Sequence, residues 1–503
     1  MKQRGLSICA MSLIAALLAG GVEPAAGVGA AAAPKLKQKK ITIAEGKTGT
    51  VTVKGKRIVS KQFKSSKKSV ATVTKKGKVK ARKAGNCKIQ VAVKYRKSKA
   101  GKVVTRKLSC KVRVIKDTQK PAARSAMNVS AEFAGQVAQV SVDLMKKSTA
   151  KDIKKGENVL ISPESILSAM AMVVNGARGT TKAEMQKALY GAVSVEDFNK
   201  NMSAYNDYLM SSSDVKFHTA NSIWIRNDAN QVRAKKSFLD MNEKYYHSQS
   251  YLEPFDNTTV EKINNWVKTN TDDMIPGIIN GISDADRMYL INALAFEGKW
   301  EKQYTDYQVR KESFTAADGE KQQVSMLNGK EHSYLQDDKA IGTMKYYEGS
   351  KFAFAAILPN KDISVEQYMN TMTGESFVKL IQSAQNKEVL TKIPEFSYDY
   401  ETRLPQTLQS MGIHKAFTDS ADFKNMATTA DGILCISDVR HKTHIDLDRN
   451  GTRAAAVTFV AKAGAAAPTE PPKEVYLDRP FLYAIVEVES GLPVFMGVVN
   501  TVN

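Results

Sequence analysis

Two short stretches have the residue types of an acyl-transfer centre. Ser65 and Lys68 stand in a Ser-x-x-Lys arrangement, and Lys47, Thr48 and Gly49 form a Lys-Thr-Gly. Where such motifs cooperate, the serine motif comes first and Lys-Thr-Gly last, far apart in the chain. Here the order is reversed, and both fall within 22 residues of a lysine-dense segment where Ser-x-x-Lys spacings arise by chance. The chain has no Gly-x-Ser-x-Gly elbow and no His-Glu-x-x-His, and its six histidines do not stand at metal-ligand spacings. Enzymatic activity, a metal and a cofactor are not expected.

Another stretch is suited to having chemistry done to it. Residues 450–472 read NGTRAAAVTFVAKAGAAAPTEPP, small side chains followed by prolines. By itself this is the composition of a flexible Ala/Gly linker. Yet it lies between two stretches that read as buried strands, CISDVRHKTHIDLD and RPFLYAIVEV. Pro468 bounds any strand the segment could form in a sheet interior, since proline cannot donate to a ladder.

The elements around these residues fall into two parts. From Lys35 to Lys120 there are 30 Lys and Arg against Glu45 and Asp117, a net of +28, whereas the remainder from Pro121 is mildly acidic. Residues 1–33 read as a secretory signal: Lys2 and Arg4 flank LSICAMSLIAALLAGG, and small residues between 21 and 33 suit cleavage. No later segment is apolar over a membrane-spanning length. Residues 34–117 alternate with period two between Gly-containing turns, the pattern of an all-β sandwich. Residues 118–128 read as a polar linker. Residues 129–503 mix amphipathic helices with strands, an α+β pattern. In this part Ser162 can cap a helix that has Pro163 in its first turn and Gly176 as its stop, and Thr181 with Glu184 has capping-box spacing. Cys87 and Cys110 sit on two arms of a hairpin around RKSKAG; a disulfide and two free buried thiols are both compatible with this, and Cys435 is expected in the core.

The basic part resembles bacterial Ig-like domains of the group 2 type at Val70, Ala71, Thr72, Val73, Gly77, Val79, Ala81, Gly85 and Ile89. Its one-sided charge destabilises a compact fold unless a polyanion relieves it. For a secreted protein the expected partner is an anionic cell-wall polymer or an acidic glycan rather than nucleic acid. Signal, module and scarce cysteines together suggest a bacterium.

The second part resembles the serpins over nearly its whole length. The carriers are NVLISPESI, INALAFEGKWEKQY, IPEFSYDYETRLPQTLQSMGIHKAFTDSADF, HKTHIDLDRNGTRAAAVT and RPFLYAIVEVESGLPVFMGVVNTV, in that order. The resemblance implies a serpin fold of large mixed sheets with surrounding helices and an exposed reactive loop. It implies a monomeric suicide-substrate inhibitor, which the signal makes secreted and extracellular and the basic part would hold at a cell surface. A serine protease attacks the loop, forms an acyl-enzyme and is trapped as the loop inserts into a sheet.

An inserting strand needs one small face. Thr452, Ala454, Ala456 and Thr458 supply it, with Arg453, Ala455, Val457 and Phe459 facing outward and Gly451 at the hinge. The family's spacing from the acidic residue at the hinge, here Asp448, implies a scissile bond between Ala465 and Ala466, with Gly464, Ala467 and Lys462 as neighbouring candidates. Cleavage after alanine fits a protease with a small S1 pocket, of elastase-like specificity. The resemblance also assigns Ser162, Ser165, Asn292 and His441 to a polar cluster under the sheet opening. The alternative is a non-inhibitory serpin-fold protein acting in binding or at a surface.

Overall fold

The computed structural model describes residues 33–37, 40–44, 48–83, 85–98, 101–115, 127–212, 214–227, 232–271, 273–452 and 471–502. The chain divides into two compact units, Met1–Gln119 and Lys120–Asn503.

The described residues of the first unit form strands and turns. A four-stranded sheet has the order Lys40–Ala44, Val103–Ile115, Gly85–Arg96, Ile58–Ser65; a three-stranded sheet has the order Thr48–Thr50, Lys78–Ala81, Ala71–Val73. Alternation sets the faces. Along Gly85–Arg96, residues Cys87, Ile89, Val91, Val93 and Tyr95 are buried, while Lys88, Gln90, Lys94 and Arg96 are exposed. Cys87 and Cys110 are both buried free thiols. The hairpin register pairs Cys87 with Val112 and Cys110 with Ile89. The two cysteines are therefore diagonal neighbours, a separation of about 7–8 Å that a disulfide does not span without backbone movement.

The second unit is α+β. A six-stranded sheet has the order Gln249–Glu253, Val215–Arg226, Met288–Lys299, Gly451–Thr452, Asp438–Asp448, Phe396–Arg403. A nine-stranded sheet runs from Val159–Ile161 through Pro493–Val499, Phe481–Glu487 and Phe352–Pro359 to Lys473–Tyr476 at its other end. The helix Pro163–Gly176 is buried on nearly every side and packs on both sheets' strands, which explains its mostly apolar sequence.

The helix ends at Gly176 as expected, with the glycine itself still helical; a Cβ on it would lie 2.6 Å from Met426 Cβ, so it also allows a close approach. Two local expectations are corrected here. Thr181 and Glu184 do not form a capping box. The helix Gly179–Tyr190 starts earlier, at Arg178. Thr181 Oγ1 instead accepts from Asp422 N (3.0 Å), and the Glu184 carboxylate accepts from His414 N and Lys415 N (2.8 and 2.7 Å). Cys435 is only half-buried.

Candidate functional site

The strands Met288–Lys299 and Asp438–Asp448 run parallel and pair from Tyr289 with Asp438 to Leu294 with Thr443. Beyond that point they fork. Into the fork comes the two-residue strand Gly451–Thr452, antiparallel to both: Thr452 pairs with Gly298 and with Leu447, Gly451 with Lys299 and with Asp448. The first two residues of the candidate hinge thus already occupy a central position in the sheet.

A tight turn makes this possible. The Asp448 carboxylate accepts from Asn450 N (2.7 Å) and Gly451 N (3.1 Å), and from Asn450 Nδ2 (2.8 Å). A Cβ on Gly451 would lie 2.1 Å from Gly298 O, so only glycine fits the fork. Trp300 holds the turn from outside. Its Nε1 donates to Asp448 O (2.8 Å) and its backbone N to Asn450 O (2.9 Å). Tyr347 stacks on Trp300 at 4.6 Å, and its hydroxyl shares a 2.7 Å hydrogen bond with Thr452 Oγ1. Thr452 is 2% exposed. Arg449 reaches Asp306 (2.8 Å) and Glu395 (3.4 Å).

Beneath Trp300 lies a buried ion pair. Lys345 Nζ is 2.7 Å from Glu331 Oε1 and donates to Lys302 O (3.0 Å), with its charge 4.3 Å from the Tyr304 ring centre. Burial pushes the Lys345 ammonium below its ordinary range, against the pull of Glu331.

Further down the fork is a polar cluster. His441 is fully buried and its Nε2 accepts from Ser162 N (2.9 Å). Burial lowers its pKa to about 3, so the imidazole is neutral. Ser162 Oγ donates to Val494 O (2.9 Å) and accepts from Ser165 N (3.3 Å), capping the helix. Ser165 Oγ donates to Asn221 Oδ1 (3.4 Å). Asn292 lies in register between Asn221 and His441, on the strand between theirs; its side chain lies outside the described residues. In the first turn of the same helix, Glu164 is 1% exposed. Its Oε1 accepts from Ser168 Oγ (2.8 Å), its Oε2 is buried without a partner, and burial raises its pKa to about 7.

Arg453, Ala454, Ala455, Ala456, Val457, Thr458, Lys462, Gly464, Ala465, Ala466 and Ala467 lie outside the described residues, as do residues 1–32 of the signal and 118–126 of the linker. The described residues continue from 471 and enter the nine-stranded sheet at Lys473, so twenty residues separate Thr452 in one sheet from Lys473 in the other. Sequence reasoning overlooked Tyr347, Lys345 and Glu164. Tyr347 is 105 residues from the threonine it holds and no local pattern joins them. Among the described residues no helix is long and apolar enough to cross a membrane.

Comparison with known proteins accords with this architecture. The model of the family described as serpin (serine protease inhibitor) matches residues 136–502. The Tachypleus tridentatus protein named intracellular coagulation inhibitor 2 is 30% identical over 363 residues, which is 69% of this chain and 86% of that protein. The native state of tengpin, a thermophilic serpin, superposes with a TM-score of 0.71 at 40% identity, covering 76% of this chain and 97% of tengpin. Tengpin in its latent state gives 0.66 at 38%, covering 75% and 99%. The forked sheet, the hinge seated in it and a match over most of the chain lead to one conclusion: the protein belongs to the serpin family, whose members are generally protease inhibitors rather than enzymes.

Proposed function

We propose that this serpin is a secreted suicide-substrate inhibitor of serine proteases with a small S1 pocket, cut between Ala465 and Ala466, and that its basic first unit attaches it to an anionic polymer. The observation that carries the inhibitory reading is the fork, with Gly451–Thr452 antiparallel to both of its neighbours.

The chemistry is the protease's own until the acyl-enzyme forms. The loop then continues the course that Thr452 has begun. The six parallel pairs between Met288–Lys299 and Asp438–Asp448 part, and two antiparallel ladders replace one parallel ladder. Antiparallel pairing is the more stable per residue. Each backbone hydrogen bond formed returns about 1 kcal/mol net, and the thirteen residues from Arg453 to Ala465 can extend both ladders. The Ser162–His441 bond links the buried helix to one of the parting strands and so helps keep the lower sheet closed beforehand. Arg453 and Phe459 remain outward and need no space in the core.

The test is incubation with an elastase-type protease. A covalent complex near 1:1 that survives boiling in detergent is expected, with the released C-terminal peptide starting at Ala466. Clean turnover without a trapped species would overturn the reading in favour of a non-inhibitory serpin.

A further inference from the structure

The four-stranded sheet of the first unit turns one face to solvent, and that face is built of cations in register. Lys88 stands directly opposite Lys111, Lys64 beside Gln90, Lys107 beside Ala92, Lys94 beside Ser60 and Thr105, and Arg96 beside Val103. All six cations are exposed, and the strand Gly85–Arg96 that carries three of them is fixed from below by the buried row Cys87, Ile89, Val91 and Val93. No acidic side chain lies between residues 46 and 116, so no carboxylate can neutralise the face from within that span. A like-charged pair directly opposite in a sheet is unfavourable, and Lys88–Lys111 is left so.

From these features we infer that this face is the docking surface for a linear polyol-phosphate polymer. The inference rests on the attachment role proposed for the unit and names its partner. Successive outward positions along a strand are roughly 6.6 Å apart, and each of the five outward registers from Lys88 to Arg96 carries at least one cation. A chain of single negative charges laid along the strands meets a cation at every step. Five of the six are lysines, which hold phosphate oxygens as point charges. The outward registers carry no aromatic ring: Phe63 and Tyr95 are on the opposite face. Aromatic platforms for bases and for sugar rings are therefore missing, which disfavours single-stranded nucleic acid. A polymer without rings fits best.

The test uses the full chain and immobilised poly(glycerol phosphate). In one variant Lys64, Lys88, Lys94, Lys107 and Lys111 are changed to Gln; in a control of equal charge Lys67, Lys68, Lys75, Lys76 and Lys78 are. The face variant is expected to lose at least a hundredfold in affinity, the control less than fivefold, with protease trapping the same in both. Equal losses would mean diffuse attraction and overturn the proposal, as would tighter wild-type binding to heparin or single-stranded DNA. In that second outcome the attachment role survives; if wild type binds none of the three, the role fails as well. Should the fivefold variant not fold, Lys88→Gln and Lys111→Gln singly are each expected to lower the salt slope of binding by about one, and an unchanged slope in both overturns the proposal.

Discussion

Tyr347 and Thr452 meet hydroxyl to hydroxyl at 2.7 Å in the buried fork of the six-stranded sheet. This contact helps to hold the hinge in its first seated position. Tyr347→Phe leaves the threonine oxygen buried without its partner, a loss of about 1 kcal/mol. Trapping is a race between insertion and hydrolysis, and ~1.4 kcal/mol changes a rate tenfold. The variant should need several-fold more inhibitor per protease trapped, read by titrating a fixed amount of enzyme.

Thr452→Arg is a harsher change at the same place. The side chain at 452 is buried, so the arginine either expels the hinge from the fork or is desolvated without a partner, at several kcal/mol. The variant should fold, be cut at the same bond and release active protease. Arg453→Glu, outward on the alternation of the loop, should still trap. Equal trapping by Thr452→Arg and wild type would refute the insertion mechanism.

Lys345 and Glu331 form an ion pair whose side chains are 3% and 10% exposed. Lys345→Met strands the carboxylate, a loss of about 3–5 kcal/mol. Thermal unfolding should fall by on the order of 10 °C. Lys345→Met combined with Glu331→Leu should recover most of it, because the cost comes from the unpaired charge.

His441 and Glu164 give opposite pH dependence. The His441 pKa falls from 6.5 to about 3 on burial, so its contribution is complete above pH 6.5 and is lost as pH drops toward 3. The Glu164 pKa rises from 4.5 to about 7, so its contribution is complete below pH 4.5 and is lost as pH climbs through 7. Each slope is about 1.4 kcal/mol per pH unit, and between pH 4.5 and 6.5 they oppose one another. Urea midpoints of wild type should be nearly flat there. Glu164→Gln should expose a stability that falls toward acid, and His441→Gln one that falls toward base.

The alternation along Gly85–Arg96, the Ser162 cap and the burial of Thr452 were legible because each depends on a few neighbouring residues. What escaped was set by distant partners. Gly176 ends its helix as it looks to, but its close approach to a methionine 250 residues on has no local sign. Thr181 and Glu184 have the spacing of a cap, but the chain at 414–422 claims both side chains. Cys87 and Cys110 miss one another by a two-residue register that only the turn length sets. Glu164 is the one charged residue of a mostly apolar helix, and that mismatch was the local sign that a carboxyl is buried there.

The first unit has no carboxylate and no histidine between residues 46 and 116. Lysine and arginine keep their protons from acid through roughly pH 9, so acidifying the medium leaves the charge of that span untouched while it titrates His441. Salt acts the other way, screening the exposed cations over about 10 Å at 0.1 M and barely reaching the buried groups of the fork. On the roles proposed above, anchorage and endurance would therefore answer to different variables of the surroundings: brine would detach a sound inhibitor, whereas acid would ruin one that is still moored.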